Sequence, residues 1–205
     1  MLVTNETIPA FSPLHQVYGW IQSCLDHSEV DCDDVEFWIA GGAVCSAVQH
    51  EKINDFDVFS NDPKRIQDAL GVSGHKMTFE IEGRFQNYLV FGHKVQVING
   101  FPVQSAEDII DMFDYTCVCG AYTPDYFVCH DRFWQDNATK RLVVNGLPYP
   151  LSTMERMAKY AKRGFTPCPV GLLALAKAIQ SLEVDWNNPE ENVLAFYPDG
   201  TPRFG

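Results

Sequence analysis

The stretch FWIAGGAV (residues 37–44), followed shortly by INDFDVF (residues 53–59), carries most of the structural information in this chain. The first stretch predicts a hydrophobic strand that leads into a turn at Gly41–Gly42 and then into a short helix. The second predicts another strand, on which Asp55 and Asp57 share one face because they lie two positions apart. Paired carboxylates bind Mg²⁺, and a glycine turn ahead of a helix lets backbone N–H groups approach a phosphate. The pattern therefore favours a protein that handles a metal-bound nucleotide.

These two segments resemble the signature of the DNA polymerase β-like nucleotidyltransferase superfamily, in which a Gly-[Gly/Ser] turn precedes an Asp-hydrophobic-[Asp/Glu]-hydrophobic strand. The motif GGAV…DFDVF is especially similar to the corresponding motif of CCA-adding enzymes and poly(A) polymerases. Three later segments resemble small nucleotidyltransferase-fold proteins of bacteriophages and large DNA viruses. They are KVQVI (94–98), MFDYTCVCGAY (112–122) and ERMAKYAKRGF (155–165).

The resemblance implies a site in which Mg²⁺ (or Mn²⁺) is held by carboxylates and assists transfer from a nucleoside triphosphate. Asp55 and Asp57 are the expected catalytic and metal-binding residues. A third carboxylate on a neighbouring strand completes such sites, and here Gln96 stands where relatives often have an acid. Asp114 is the alternative donor, predicted at the start of the next strand. A structural role as a hydrogen-bond acceptor is an equally open interpretation of Asp114.

Phosphate contacts are expected from Gly41 and Gly42 and from a basic stripe on a predicted helix over residues 152–163. Arg156, Lys159 and Arg163 recur at spacings of three and four residues, which places them on one face of a helix. Either they contact a triphosphate or the phosphates of an acceptor strand, or they form an ordinary solvated surface.

The composition excludes some classes of function. The chain has 205 residues, is 46% hydrophobic and carries a formal net charge of −12. Such a balance argues against extended duplex nucleic-acid binding, which depends on contacts with phosphates. No apolar stretch is long enough to span a membrane, and seven scattered cysteines suit free thiols in a reducing cytoplasm, that of a host cell if the protein is viral.

Strands and helices alternate irregularly along the chain, which predicts an α+β fold with a mixed sheet flanked by helices. We expect an N-terminal helix within residues 1–34 that packs on the core, a nucleotidyltransferase core over residues 35–150, and C-terminal helices with an irregular tail over residues 151–205. All three parts are expected to form one compact domain.

The motifs and the composition are compatible with two functions from different classes. The first is an enzyme that moves a nucleoside monophosphate from an NTP to an acceptor and releases pyrophosphate. The acceptor is left open between an RNA 3′ end, a protein hydroxyl and a small molecule. The second is a nucleotidyltransferase fold that no longer catalyses and serves as a binding or structural module, an alternative that the amide at Gln96 favours.

Overall fold

The computed structural model describes residues 1–4, 8–28, 34–101, 103–182 and 187 of the chain. Their main feature is a mixed sheet of eight strands in the order β1-β8-β7-β2-β3-β6-β5-β4. In chain order the strands are β1 (Leu2–Thr4), β2 (Phe37–Ala40), β3 (Phe56–Ser60), β4 (Lys76–Ile81), β5 (Phe85–Val90), β6 (His93–Ile98), β7 (Gly120–Tyr122) and β8 (Phe127–Cys129). Strands β3 and β6 are parallel, and the other neighbours are antiparallel.

Seven α-helices surround the sheet in the described part of the chain. They are α1 (Ser12–Asp26), α2 (Gly42–Val48), α3 (Pro63–Val72), α4 (Ala106–Met112), α5 (Phe133–Ala138), α6 (Pro150–Lys162) and α7 (Pro169–Gln180). Short 3₁₀ helices occur at Pro9–Phe11 and Thr116–Val118, and β9 (Arg141–Leu142) pairs in parallel with β10 (Thr166–Pro167). The predicted α+β fold with a mixed sheet is confirmed.

Each face of the sheet is covered by its own helices because successive side chains on a strand point in opposite directions. Ile39 and Val58 point towards α1, α2 and α3 and belong to the larger core. Trp38 and Phe59 point the other way and pack against α4 through Ile109. The two faces together bury the central strands, so the ends of β2, β3 and β6 are held in fixed relation to one another.

The sequence predicts one continuous strand from Asp114 to Tyr122, and this prediction is wrong over most of its length. Tyr115 makes an isolated bridge with Val144, residues Thr116–Val118 form a 3₁₀ helix, and only residues from Gly120 onwards join the sheet. Side chains compete with strand pairing here: the Asn137 amide donates to the carbonyl of Cys117 at 2.8 Å. Asp114 therefore does not start a strand of the sheet.

The sequence predicts a hairpin turn at Gly92 and His93, between strand-like stretches at residues 87–91 and 94–99, and the structure shifts this turn by one residue. The turn residues are Phe91 and Gly92, with φ angles of 46° and 86°. Two residues with positive φ are what a two-residue hairpin turn requires, and the phenylalanine in the first position hid that signal.

Several predictions concern cysteines and chain segments. The described cysteines are free thiols, all of them buried except the partly exposed Cys168, as expected. Cys32 lies outside the described residues, and so does the expected irregular tail from residue 185 apart from residue 187. The boundaries at residues 34 and 150 stay a prediction. No helix among the described residues is long and apolar enough to cross a membrane.

Candidate active site

The turn between β2 and α2 brings the chain backbone against a carboxylate. Gly41 has φ of 71°, a conformation that side chains with a Cβ rarely adopt. A Cβ on Gly41 would lie 2.9 Å from the ring of Phe113 and 3.7 Å from Oδ2 of Asp57. A Cβ on Gly42, by contrast, would meet nothing within 4 Å. Gly41 is thus required by the turn, and Gly42 faces open space beside it.

Asp55 and Asp57 lie at the start of β3, next to this turn. Asp57 pairs with Ala40 of β2, so its carboxylate stands beside the end of the strand that enters the glycine turn. Burial and, secondly, the charge of Asp55 raise the pKa of Asp57 to about 7, against the opposing effect of Lys94, Lys159 and Arg156. A carboxyl with this pKa holds a proton near neutral pH unless a cation replaces it.

The position expected for a third carboxylate is filled by an amide that has its own partner. In the parallel pairing of β3 with β6, Gln96 lies opposite Asp57. Its Nε2 donates to Oδ1 of Asn87 on β5 at 2.9 Å. A row of one carboxylate and two amides therefore crosses three adjacent strands.

Asp114 is paired with a residue of α6. Its Oδ2 accepts from Nε of Arg156 at 2.6 Å, and its side chain is almost fully buried. Arg156 also donates to the Ser152 hydroxyl at 2.9 Å, so the guanidinium is held at two points. This ion pair orients Arg156, whereas a metal-binding role for Asp114 remains a prediction.

The basic residues predicted for the site divide into two groups. Arg156 and Lys159 of α6 are close enough to Asp57 to act on its charge. Arg163 instead lies near the C-terminal end of α2. Its Nε donates to Glu51 at 2.6 Å, and its guanidinium lies over the ring of Tyr160. The structure therefore brings two of the three basic residues to the carboxylates.

One charged residue of this site was missed in the sequence. Lys94, the second residue of β6, places Nζ 3.7 Å from Oδ2 of Asp55. The parallel pairing of β6 with β3 puts it there, and this pairing was not predicted. The sequence did hold one indication of this contact: Lys94 lies two residues before Gln96, so both side chains are on the same face of the strand.

Two carboxylates of this site, Asp55 and Asp57, have the chemistry of ligands for a divalent cation. Among the described residues, no group of three or more His, Cys, Asp or Glu side chains could hold a metal ion. Two carboxylates nevertheless suit Mg²⁺, which in many nucleotide sites takes one or two carboxylates and completes its octahedron with phosphate oxygens and water. Asp55 and Asp57 would hold such an ion.

Comparison with known proteins assigns the family. A family model described as "Gabija anti-defense 2 family protein" matches residues 15–140, which include the glycine turn and the carboxylates. The chain belongs to the Gabija anti-defense 2 family. A relative named "Gabija anti-defense 2", from Bacillus phage SPbetaL7, is 28% identical over 141 residues; the match covers 62% of the chain and 33% of the relative. The chain therefore spans about a third of the length of this relative, and the phage origin agrees with the resemblance found in the sequence.

Solved structures with the same fold are CCA-adding enzymes. The Thermotoga maritima enzyme complexed with tRNA superposes with a TM-score of 0.63 at 12% identity, over 94% of this chain and 48% of that one. The Bacillus stearothermophilus enzyme in complex with CTP gives a TM-score of 0.58 at 17% identity, over 80% and 42%. At these identities the likeness shows that this Gabija anti-defense 2 family member has the polymerase β-like nucleotidyltransferase fold.

Proposed function

We propose that the chain binds a nucleoside triphosphate with Mg²⁺ or Mn²⁺ and transfers its nucleoside monophosphate to an acceptor hydroxyl, releasing pyrophosphate. The observation that carries this proposal is the Asp55–Asp57 pair set against the Gly41 turn, with Arg156 and Lys159 facing it from α6. Negative and positive groups that lie close together suit a cation and a polyphosphate bound together.

The residues of the site have separate tasks in this mechanism. Arg156 and Lys159 bind the phosphate oxygens and the charge that develops on the leaving pyrophosphate. The open space at Gly42 admits the triphosphate close to the backbone. Asp55 and Asp57 hold the divalent ion, which when bound neutralises phosphate charge. Buried Asp114 keeps Arg156 aimed at the site through their ion pair.

The biological role that we propose follows the name of the phage relative. Inside the host cell, this activity would oppose the Gabija defence, with the transferred nucleotide altering a host component. The nucleotides and tRNA named for the CCA-adding structures support a nucleoside triphosphate as donor and make an RNA 3′ end one candidate acceptor, beside a protein hydroxyl or a small molecule. Extended duplex binding is not part of the proposal.

A second candidate function is nucleotide binding without transfer. It is favoured by Gln96, which puts an amide where a third carboxylate is expected, and by Asp114, which is engaged with Arg156 rather than with Asp57. In this case the protein would oppose the defence by binding, for example by sequestering a nucleotide or occupying a partner.

Labelled nucleotides separate the two candidates. The protein is incubated with each α-³²P-labelled NTP, Mg²⁺ or Mn²⁺, and host lysate or total RNA. The Asp55→Asn/Asp57→Asn double variant tests the site, and Asp111→Asn, an exposed helix carboxylate, is the matched control. Transfer of label by the wild type and the control but not by the double variant supports the enzyme. Metal-dependent binding of a non-hydrolysable NTP without any transfer supports the binding protein.

The defence itself supplies the second arm of the test. Each variant is expressed in a host that carries a Gabija system, and plaques of a sensitive phage are counted. We expect the wild type and Asp111→Asn to restore plaques and the double variant to fail. Restoration of plaques by the double variant would refute a role for the carboxylates in opposing the defence.

A further inference from the structure

A cleft of about 810 Å³ opens next to Asn54, the residue that precedes Asp55. It is enclosed by the start of α1, the end of α2, the loop before β3 and the tip of the β5–β6 hairpin. Its volume falls within the range of small-molecule sites, about 300–1,000 Å³. The triphosphate-side residues Gly41, Gly42, Arg156 and Lys159 are not part of its lining, so it is distinct from the proposed NTP site.

The cleft has an apolar floor. Phe56 is buried at its base, and Pro13, Ala47 and Ile53 form further apolar walls. One ring on the wall is held in place: His93 lies with its centroid 5.4 Å from Trp20 and 5.6 Å from Phe56. A fixed aromatic ring above an apolar floor suits a flat heterocycle such as a nucleobase.

The rim of the cleft is basic although the chain as a whole carries a net charge of −12. Lys52, Lys94 and His50 all line it. Glu51 also lines it, but its carboxylate is engaged by Arg163 at 2.6 Å and lies 3.8 Å from Lys140. Lys94 is in turn shared with Asp55, whereas no carboxylate of the described residues pairs with Lys52. Lys52 is therefore available to an anion, and phosphate is the anion that accompanies nucleobases.

Two neighbouring residues connect the cleft to the carboxylates. Asn54 lines the cleft and directly precedes Asp55, and Lys94 both lines the cleft and places Nζ 3.7 Å from Asp55. A ligand seated in the cleft would therefore lie beside Asp55.

We propose that this cleft binds a nucleoside phosphate and that this ligand is the acceptor of the transferred nucleotide. This inference rests on the proposed function. In the reaction, a hydroxyl oxygen of the acceptor forms a bond to the α-phosphorus of the NTP, and the bond from that phosphorus to the oxygen bridging to the β-phosphate breaks. Pyrophosphate leaves with the electron pair of that bond, and the hydroxyl proton passes to solvent. A free nucleotide and the last nucleotide of a single strand share this chemistry.

Binding is tested first, in EDTA, so that the outcome is independent of metal and of transfer. AMP, inorganic phosphate and a single-stranded adenosine trinucleotide are titrated into the protein by calorimetry. We expect AMP to bind at least tenfold more tightly than phosphate, because the apolar floor contacts the base. A trinucleotide that binds more tightly than AMP identifies a strand end as the natural ligand, and equal affinities identify a free nucleotide.

Two variants locate the binding. Lys52→Glu reverses a charge on the rim, and Leu89→Trp places bulk in the cleft from a half-exposed position on β5. Each is expected to weaken AMP binding at least tenfold, while Lys177→Glu, an exposed charge reversal on α7, leaves it unchanged. Circular dichroism checks that the variants fold. The absence of AMP binding, or AMP affinity in both cleft variants equal to that of the wild type, overturns the proposal.

Transfer is tested second, with α-³²P-ATP, Mg²⁺ and the ligand that bound. The expected product is that ligand extended by one labelled AMP, formed by the wild type and reduced at least tenfold in Leu89→Trp. Label that moves to another acceptor while AMP occupies the cleft overturns the acceptor assignment. If no label moves to any acceptor, the proposed function fails, and the EDTA titration alone then judges nucleotide binding by the cleft.

Discussion

The Asp57→Asn variant tests whether the carboxylate pair is electrostatically strained when no cation is bound. Asp57 lies partly buried against the glycine turn and beside Asp55, and its pKa is raised from 3.8 to about 7. A raised pKa in the folded state means that folding favours the protonated form. The stability that this group contributes is fully present below its unfolded pKa and is lost as the pH rises through about 7. Asparagine removes this loss because it does not ionise.

The size of the effect follows from the shift. A shift of about three pKa units corresponds to at most ~4 kcal/mol, and we expect about half of that because Asp57 keeps some contact with solvent. About half of the difference develops between about pH 5.5 and about pH 8.5 and the rest at lower pH, so the advantage of Asp57→Asn over the wild type should grow by about 1 kcal/mol across that range. Asp55→Asn should show a smaller gain, since the charge of Asp55 is the second cause of the shift.

The assay is urea unfolding in EDTA, followed by the fluorescence of the four tryptophans. Asp111→Asn, which removes an equal charge from an exposed site, controls for the overall acidity of the chain. A stability difference between Asp57→Asn and the wild type that stays constant with pH would refute the reasoning. So would a wild type that gains stability relative to the variant as the pH rises.

Three further predictions concern the same site. Gly41→Ala should lower the free energy of unfolding by ~1–3 kcal/mol, because φ is 71° and the new Cβ would lie 2.9 Å from the ring of Phe113. Gly42→Ala has open space around the new Cβ and should change the free energy of unfolding by less than ~1 kcal/mol in the same urea assay. Asp114→Asn should cost ~1–2 kcal/mol by weakening the bond to Arg156, and unchanged urea unfolding would contradict that role. Thermal stabilisation by Mg²⁺ with a non-hydrolysable ATP analogue should be larger at about pH 8 than at about pH 6, because a proton on Asp57 competes with the cation.

The parts of the site that are local in sequence could be predicted, because their geometry follows from neighbouring residues. A strand, a glycine turn, a short helix and a second strand lie within residues 37–60, and their order places Asp57 against Gly41 once the two strands pair. Periodicity likewise located α6 and its basic residues. The fold class followed from the irregular alternation of these elements.

The parts that depend on distant pairing could not be predicted. Arg163 was expected on the same stripe as Arg156, but its partner is Glu51, which lies 112 positions away in the chain. Helical spacing gives the direction of a side chain but not the neighbour that it meets. Lys94 was missed for the same reason, since its contact with Asp55 exists only because β6 pairs in parallel with β3.

The neutral amide of Gln96 lowers the negative charge of the site, in addition to removing a possible metal ligand. A carboxylate at this position would stand opposite Asp57, whose pKa is already raised by burial and by Asp55. A third negative charge there would need a bound cation to be tolerated. Gln96 is instead neutral and is hydrogen-bonded to Asn87. Strand β6, which also carries Lys94, therefore adds no negative charge near the cleft, and a phosphate of the acceptor meets less repulsion than it would with a carboxylate at position 96. The cation then depends on the NTP for its remaining ligands, so that metal and nucleotide are expected to bind together and neither to bind tightly alone.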